Sequence, residues 1–377
     1  MVSDTNPRAG FAFLARNSAA QDEAFSSPFG ILGRAIEARA FPGCSVAITH
    51  RGELVGDKAM GRFTDEPSSA TVSKETLFDL ASVTKVVAAT AMAMVLYERG
   101  LLDLEAPVTT VVPEFGAGES RRAEVTLRML LAHSSGLPAY EKLFLRARTR
   151  QQLLQAAFAA ELTADPGTRA EYSDIGFIVL GVALERLADE TLDSFCQREV
   201  FGPLAMSQTT FNPAKSLRAR IAPTADDRSF RHRIIQGEVQ DENTYVLGGV
   251  AGHAGLFSTA EDIARFAHAM LNGGHPILRQ QTVNIFTRRE SPPAGTSRAL
   301  GWDTPSQPSQ SGRYFSPRSF GHLGYTGTSL WIDPERQLSV ILLTNRTWPD
   351  CQNQAIKQVR PAFYDAVVEA IDAEKRA

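Results

Sequence analysis

The feature that most constrains this chain is an apolar run at residues 86–97, interrupted by Thr90 and followed by Gly100. Its apolar residues fall on every side of a helix, not on one stripe, and this pattern predicts a helix that is buried all round. Lys85 stands at the head of that helix, although lysines are almost never fully buried unless they are paired. Because burial lowers the pKa of a lysine, we expect Lys85 to be able to accept a proton.

Ser82 lies three residues before Lys85, so a helix brings the two side chains onto one face. A hydroxyl beside a base is the arrangement of an activated nucleophile. If Ser82 lies in the first helical turn, free backbone N–H groups and the helix dipole favour the oxyanion that it creates. Of the seven lysines, only Lys85 has a serine at this spacing. The alternative is an N-cap serine beside a lysine whose charged end reaches solvent.

Length, charge and cysteine content narrow the class of protein. A chain of 377 residues predicts one large two-lobed unit or two domains. A formal net charge of -3 argues against nucleic acid or a membrane surface as a partner. Cys44, Cys196 and Cys351 are far apart and odd in number, which favours a reducing compartment over a disulfide framework. Because no signal peptide or membrane-spanning stretch is visible, we expect a cytoplasmic protein.

The periodicity of the chain places strands at both ends and helices in the middle. Residues 44–50 and 53–60 alternate as the two strands of a hairpin, and residues 300–345 are rich in strand patterns. Helical patterns cover most of residues 101–212. Residues 213–246 are polar and poorly periodic, and they predict a long surface connection. Further helices are predicted near 31–36, 261–270 and 356–371.

This order predicts an α/β (α+β) fold in which both ends of the chain share one antiparallel sheet flanked by helices. Residues 27–100 and 247–377 would form the α/β lobe, and residues 101–246 a mostly helical lobe inserted in it. The active site is expected at the seam, because ligands favour the boundary between lobes. Residues 1–26 are expected to be a loosely ordered lead-in.

Two further patterns carry chemistry only in combination. Tyr172 stands two residues before Asp174 at the start of an apolar helix, where it could relay protons for a serine and lysine pair. The alternative is an exposed tyrosine beside a capping Asp174. His322 and Gly324 stand in a glycine-rich strand start, where glycine often marks close approach by another backbone or a ligand. A histidine packed in the core is the alternative there, and His133 is expected to be structural.

Together, Ser82-x-x-Lys85, Tyr172-x-Asp174 and His322-x-Gly324 resemble the three active-site motifs of the serine β-lactamase and penicillin-binding protein superfamily, in the same order. The chain is most similar to the branch that holds class C β-lactamases, D-stereospecific peptidases and amidases, and family VIII carboxylesterases. The resemblance implies a β-lactamase/transpeptidase-like fold. It spans residues 29–350 and includes similar stretches at 78–82, 130–137, 201–206 and 327–334.

The resemblance implies a role for each motif residue. Ser82 would be the acylated nucleophile and Lys85 its base. Tyr172 would pass a proton to the leaving group and activate the deacylating water. The backbone N–H groups of Ser82 and Tyr325 would form the oxyanion hole. No metal and no cofactor are implied, and the substrate would be a small ester, amide or β-lactam.

Two positions depart from the usual family pattern. Asp174 stands where asparagine is expected, and its carboxylate favours the protonated form of Lys85. His322 stands where lysine is expected, and a neutral histidine is a poorer anchor for a substrate carboxylate. Arg346, which follows Asn345, is a candidate to replace the lost positive charge.

We therefore predict a serine hydrolase that works through an acyl-enzyme, with a carboxylesterase of weak or no β-lactamase activity as first choice. The alternatives are a β-lactamase, a D-peptidase or muropeptide amidase, and a penicillin-sensing protein that is acylated without turnover. Candidate substrate-binding residues are His253, Asn345 and Arg346. The oligomeric state does not follow from the sequence.

Overall fold

The computed structural model describes residues 14–374. In this part of the chain the strands are β1 (Ala15–Arg16), β2 (Gly43–His50), β3 (Glu53–Gly61), β4 (Phe78–Asp79), β5 (Thr210–Phe211), β6 (Ala225–Asp227), β7 (Arg233–Ile235), β8 (Leu256–Ser258), β9 (Phe320–Leu323), β10 (Ser329–Asp333) and β11 (Leu338–Thr344). The largest sheet has six strands in the order β1-β3-β2-β11-β10-β9. A second sheet has the order β4-β8-β5, and β6 pairs with β7.

Helices pack around these sheets. The α-helices of the described residues are α1 (Gln21–Ala24), α2 (Ser26–Glu37), α3 (Ala91–Glu98), α4 (Leu127–Leu131), α5 (Arg150–Phe158), α6 (Asp174–Ala188), α7 (Leu192–Cys196), α8 (Glu242–Val246), α9 (Ala260–Leu271), α10 (Gln280–Thr287) and α11 (Ile356–Glu374). Two segments, Lys85–Thr90 and Gln197–Phe201, are wound as π-helix. The predicted helices near 31–36, 261–270 and 356–371 correspond to α2, α9 and α11.

Strand β11 joins the two ends of the chain in one sheet. It pairs antiparallel with β2, where Thr344 lies opposite Cys44, and antiparallel with β10. The hairpin of β2 and β3 forms within one residue of its predicted bounds. Among the strands of this sheet in residues 14–374, the short β1 alone pairs in parallel, with β3. The predicted α/β fold, with an antiparallel sheet shared by both β regions, is therefore confirmed.

Both faces of β11 are buried, because side chains alternate between the faces of a strand. Val340 and Leu342 pack in one apolar core with residues of α2 and α11. Ile341 and Leu343 pack in a larger core with α3 and α9. Helices thus cover the sheet on both sides. The larger core draws residues from both predicted lobes, and the division into an α/β lobe and an inserted helical lobe stays a prediction.

The apolar stretch that follows Lys85 is the central helix of the larger core. A 3-10 turn (Ala81–Val83), the π-helical segment and α3 follow one another, and 83% of the stretch Ala81–Glu98 is buried inside the protein. Within residues 14–374 this is the one helix long and apolar enough to cross a membrane. Its burial is that of the core helix of a soluble protein.

Residues 213–246 are not the surface connection that their composition predicts. They contain β6, β7 and α8, and Ile221 and Asn243 are fully buried. The side chain of Asn243 donates to the carbonyl O of Glu141 at 2.8 Å and accepts from the N–H of Phe144 at 3.0 Å. The prediction is wrong because buried polar residues that satisfy backbone groups leave no hydrophobic periodicity in the sequence.

The second half of the predicted lead-in, residues 1–26, contains regular secondary structure. Residues 1–13 lie outside the described part of the chain. From residue 15 onwards the chain forms β1, α1 and the start of α2, and Phe25 is 1% exposed in the core. Strand β1 is stabilised by pairing with β3, a contact between distant segments that local periodicity does not reveal.

Candidate active site

Ser82 lies in the first turn of the central helix, directly after the short strand β4. The preceding residue, Ala81, has a positive φ of 46°, a conformation that is strained for alanine. The Asp79 carboxylate stabilises this bend, because its Oδ1 accepts a hydrogen bond of 2.8 Å from the Ala81 N–H. The first N–H groups of a helix have no intrahelical acceptor, so this is the position on which the predicted oxyanion stabilisation depends.

The amine of Lys85 is fully buried and contacts three oxygen atoms. Its Nζ lies 3.0 Å from Ser82 Oγ, 2.6 Å from Asp174 Oδ1 and 3.1 Å from the carbonyl O of His253. Burial lowers the pKa of Lys85 below its ordinary value, while the Asp174 carboxylate acts in the opposite direction. An amine with a lowered pKa beside a hydroxyl can take the proton of that hydroxyl.

The phenol of Tyr172 makes a second contact with the same hydroxyl. Its O–H donates to Ser82 Oγ at 2.6 Å. Burial, and then the Asp174 carboxylate, raise the pKa of Tyr172 well above 10, so the phenol is protonated at neutral pH. Its ring packs against His133, with 4.7 Å between the ring centroids, and His133 Nδ1 accepts from the N–H of Ser173. The alternative of an exposed, unattached tyrosine is therefore wrong.

Asp174 starts helix α6 but does not cap it. The N-cap is Ser173, whose Oγ accepts a hydrogen bond of 2.9 Å from the N–H of Gly176. The Asp174 carboxylate forms an ion pair with Lys85 instead. The alternative of a capping aspartate is therefore wrong. The departure from the usual asparagine changes the charge next to the lysine.

Replacing Asp174 with asparagine is expected to move the acidic limb of the kcat/KM profile to lower pH. The carboxylate raises the pKa of Lys85, so its loss lets the amine give up its proton at lower pH. Glu242→Gln, which removes a carboxylate elsewhere in the same cavity, is the matched control and should leave this limb in place. The pH dependence of kcat/KM is measured for the wild type and both variants. If the acidic limb of Asp174→Asn stays in place or moves to higher pH, the Asp174 carboxylate does not raise the pKa of Lys85.

The third motif packs against the segment that carries the nucleophile. Strand β9 leads into the turn at residues 324–328, where Thr326 Oγ1 donates to the carbonyl O of Asp79 at 2.7 Å and Thr328 Oγ1 to that of Leu80 at 2.8 Å. A Cβ on Gly324 would lie 2.0 Å from Thr328 Oγ1 and 2.5 Å from Leu80 O. Glycine is required there because another backbone approaches closely, as its position in the strand start predicted.

The main-chain N–H of Tyr325, the predicted second donor of the oxyanion hole, is free of protein acceptors. No hydrogen bond from this N–H is made to any residue between 14 and 374. The turn that carries it is attached to Asp79 and Leu80, just before Ser82. The two predicted donors thus lie on segments that are hydrogen-bonded to each other, which is the rigidity that a preorganised oxyanion hole needs.

His322 is buried, with 3% exposure, and neutral. Burial lowers its pKa well below 6.5, and the charges of Lys85 and Arg298 add to this effect. Its Nδ1 lies 2.8 Å from the carbonyl O of Leu323, so Nδ1 carries the proton and Nε2 is an acceptor. Nε2 has no partner in the described residues. His322 therefore brings no positive charge to the cavity wall.

A cavity of about 660 Å³ opens at these residues. Its wall brings together Ser82, Tyr172, His322 and Tyr325, and residues of the third motif meet those of the first. Side chains of both charges line it: Lys142, Asp174, Asp241, Glu242, Arg298, Asp303, Arg346 and Arg360. A space of this size holds a small ligand, and its polar lining sets which ligands fit.

The three candidate substrate-binding residues have different positions. Arg346 lines the cavity, and its guanidinium lies 4.5 Å from the centre of the Tyr325 ring. Asn345 does not line the cavity; it is 1% exposed and donates to the carbonyls of Phe63 and Pro223. Its selection as a substrate-binding residue is wrong, because a side chain that satisfies buried backbone carbonyls cannot reach a ligand.

His253 is one of the residues that line the cavity. Its carbonyl O accepts from Lys85 at 3.1 Å, and its buried ring contacts Asp241 Oδ1 at 2.9 Å through Nε2. The histidine thus helps to hold the lysine amine, and the structure gives no support for contact between its ring and a substrate. Asp241 was missed by sequence reasoning. Its one local signal is that it caps α8, where it accepts from the N–H of Thr244.

Arg298 was also missed. Its guanidinium lies 5.5 Å from the centre of the Tyr172 ring and lines the cavity. Its positive charge opposes protonation of Lys85 and of His322. No sequence signal identifies it, because it stands in an irregular loop and its proximity to Tyr172 is a contact between distant segments.

Comparison with known proteins gives the same assignment over most of the chain. The sequence model of the beta-lactamase family matches residues 30–360. The chain is 31% identical to the N-acetylmuramyl-L-alanine amidase of Bacillus subtilis (strain 168), covering 82% of this chain and 78% of the amidase. It is 30% identical to a putative D-alanyl-D-alanine carboxypeptidase of Escherichia coli (strain K12), covering 81% of this chain and 79% of that protein.

Two solved structures show the same fold. EstCE1, a hydrolase with promiscuous acyltransferase activity, superposes with a TM-score of 0.74 at 22% identity, covering 92% of this chain and all of that chain. The octameric penicillin-binding protein homologue from Pyrococcus abyssi superposes with a TM-score of 0.70 at 20% identity, covering 93% of this chain and 77% of that chain. The predicted resemblance and fold class are confirmed.

Proposed function

Because this chain belongs to the beta-lactamase family and is a serine hydrolase, we propose that it cleaves an amide bond in a polar, charged substrate through an acyl-enzyme on Ser82. The observation that carries the proposal is the wall of the cavity, where acidic and basic side chains face the same space as the Ser82 hydroxyl. A few charged groups placed on a pocket wall fix the orientation of a polar substrate. The N-acetylmuramyl-L-alanine bond named for the Bacillus subtilis relative joins polar groups of the kind that fit such a wall.

The contacts of Ser82 support the first half of the reaction. Lys85 Nζ, 3.0 Å away, takes the proton from Ser82 Oγ as this oxygen attacks the substrate carbonyl. The N–H groups of Ser82 and Tyr325 stabilise the resulting oxyanion. Tyr172, 2.6 Å from Ser82 Oγ, gives its proton to the leaving nitrogen, and Lys85 returns the serine proton to Tyr172. The acyl group is then bound to Ser82.

Deacylation uses the same groups in the reverse order. A water molecule takes the place of the leaving amine. As it attacks the acyl carbonyl, Tyr172 takes its proton and passes the phenol proton on to Lys85. The same two N–H groups stabilise the second oxyanion. Collapse releases the acid and returns the proton to Ser82 Oγ.

A carboxylesterase, the first choice from the sequence, is the second candidate, and the pair of Lys85 and Asp174 favours it. The carboxylate keeps the amine protonated to higher pH than an asparagine would, so Lys85 is a weaker base. The alcohol of an ester leaves with less help from a proton donor than the amine of an amide does. An ester therefore tolerates a weaker acid–base pair.

The experiment compares N-acetylmuramyl-L-alanine, a short-chain nitrophenyl ester and a chromogenic cephalosporin, with Ser82→Ala as the control. Each kcat/KM is divided by the rate constant of the uncatalysed reaction, because the nitrophenyl ester is intrinsically the most reactive. We expect the largest enhancement for the amide. If the enhancement is largest for the ester, the result supports a carboxylesterase. If it is largest for the cephalosporin, the result supports a β-lactamase. At most one equivalent of product per chain, with a lasting adduct on Ser82, supports the penicillin-sensing alternative.

The proposal includes a small-molecule substrate and a cytoplasmic location. The cavity of about 660 Å³ is of the size that encloses a small ligand. The location rests on the cysteine usage of the sequence. Fractionation of the source cells, with detection of the protein in the soluble and membrane fractions, tests it.

A further inference from the structure

Arg360, in helix α11, is a buried cation that contacts only neutral groups in the described part of the chain. The residue is 5% exposed. Burial lowers the pKa of Arg360 to about 10, so it is still charged at neutral pH. Its Nη2 donates to the carbonyl O of Gly324 at 3.0 Å and to that of Thr328 at 2.8 Å. A buried charge without an opposite charge is costly, so its retention points to a functional need.

One of these two carbonyls belongs to the peptide bond that carries the predicted oxyanion donor. The C=O of Gly324 and the N–H of Tyr325 are the two ends of one planar amide. A hydrogen bond to the carbonyl therefore fixes the direction of the N–H. A charged donor also polarises the amide and makes its N–H a stronger donor, because hydrogen bonds in a chain strengthen each other.

The neighbouring backbone groups of the turn have further hydrogen-bond partners. The Gly324–Tyr325 amide is therefore the group that Arg360 orients. Thr328 O accepts the N–H of Gly324 at 2.8 Å as well as the Arg360 hydrogen bond, so the guanidinium bridges both ends of the turn. Arg346 holds the following carbonyl, because its Nε donates to Tyr325 O at 2.7 Å. The carbonyls on both sides of the Tyr325 N–H are therefore fixed by guanidinium groups.

We propose that Arg360 is a positioning residue for the oxyanion hole, which it serves by orienting and polarising the Gly324–Tyr325 amide from the C-terminal helix. Arg360 also borders the cavity, but the proposed action is on this amide and not on the substrate. The inference rests on the proposed role of the Tyr325 N–H in stabilising the oxyanion. Misplacing a catalytic group by about 1 Å costs about 10²-fold in rate, so loss of the guanidinium should be visible in kcat.

The test measures kcat and KM for a nitrophenyl ester, and the affinity for a boronic acid that forms a tetrahedral adduct on the serine. Arg360→Met is expected to lower kcat by about 10- to 100-fold with little change in KM. It should weaken boronic acid binding by a similar factor. Arg360→Lys keeps the charge and one donor, and it should recover part of both losses. The inference is overturned if neither variant lowers kcat or the boronic acid affinity.

The matched control is Tyr364→Phe, one turn further along α11. Tyr364 is fully buried and donates to Ser329 Oγ at 2.8 Å, so its loss also removes a buried hydrogen bond between this helix and the strand region. It should lower the melting temperature and leave kcat unchanged. An equal fall of kcat in Tyr364→Phe would mean that Arg360 acts on stability alone. If Arg360→Met does not fold, the test relies on the affinity of Arg360→Lys for the boronic acid. An affinity equal to that of the wild type overturns the inference.

Failure of the proposed function is distinguishable from failure of this inference. A fluorophosphonate probe and intact-protein mass spectrometry report acylation chemistry at Ser82 without any assumption about the natural substrate. A wild-type protein that does not label at Ser82 contradicts the proposed function. A wild-type protein that labels, with an Arg360→Met variant that reacts at the same rate in every assay, contradicts only the role of Arg360.

Discussion

Replacing Ser82 with alanine is expected to lower kcat by at least about 10⁴-fold, because loss of a catalytic nucleophile in serine hydrolases costs this much or more. The only atom removed is Oγ, which both Lys85 and Tyr172 contact. Lys85 keeps its hydrogen bonds to Asp174 and to the carbonyl of His253. The free energy of unfolding should therefore change by no more than about 2 kcal/mol. Steady-state kinetics and thermal unfolding of the same preparation measure both effects.

Ser207→Ala is the matched control for this variant. Ser207 is exposed and does not line the cavity, so both its kcat and its melting temperature should equal those of the wild type. A fluorophosphonate adduct should appear on the wild type and on Ser207→Ala and be absent from Ser82→Ala. Wild-type turnover by Ser82→Ala would mean that another residue is the nucleophile.

The second large effect is expected from Lys85→Ala, which should lower kcat by about 10²- to 10⁴-fold through loss of the general base. This variant should also be less stable than wild type. It leaves the Asp174 carboxylate, 18% exposed, without the amine at 2.6 Å that neutralises it. Removing one partner of a buried ion pair costs about 3 to 5 kcal/mol. Kinetics and chemical denaturation follow the two effects separately.

The double variant Lys85→Ala, Asp174→Asn separates catalysis from stability. It removes both charges, so no unpaired carboxylate is left in the site and much of the lost stability should return. The activity should not return, because the base is still missing. Recovery of activity together with stability would show that Lys85 has a structural role only.

Local patterns in the sequence predicted the elements whose residues are neighbours along the chain. The apolar residues after Lys85 form the central helix, and the hairpin of β2 and β3 lies within one residue of its predicted bounds. Ser82 and Lys85 meet because three residues span less than one helical turn. The need for glycine at residue 324 was also visible, and the reason is a backbone approach that a Cβ would block.

The errors fall where distant segments meet. Asn345 stands beside Arg346 in sequence, yet its amide satisfies the carbonyls of Phe63 and Pro223 and not a ligand. Arg298 contacts the Tyr172 ring from an irregular loop that carries no periodic signal. The sequence analysis did not single out Arg360, which contacts the turn at residues 324–328. Such contacts depend on packing, which hydrophobic periodicity does not encode.

The sequence by itself determined the residue types of the site, the helix that carries Ser82 and Lys85, and the family motifs in their order. Only the tertiary structure decided that Tyr172, 90 residues away, places its hydroxyl 2.6 Å from Ser82 Oγ. It also decided the protonation of the site, since burial is what lowers the pKa of Lys85 and His322 and raises that of Tyr172. The physical reason is that chain-distant contacts and desolvation arise when the core and the sheet assemble, whereas periodicity and spacing act within a single element.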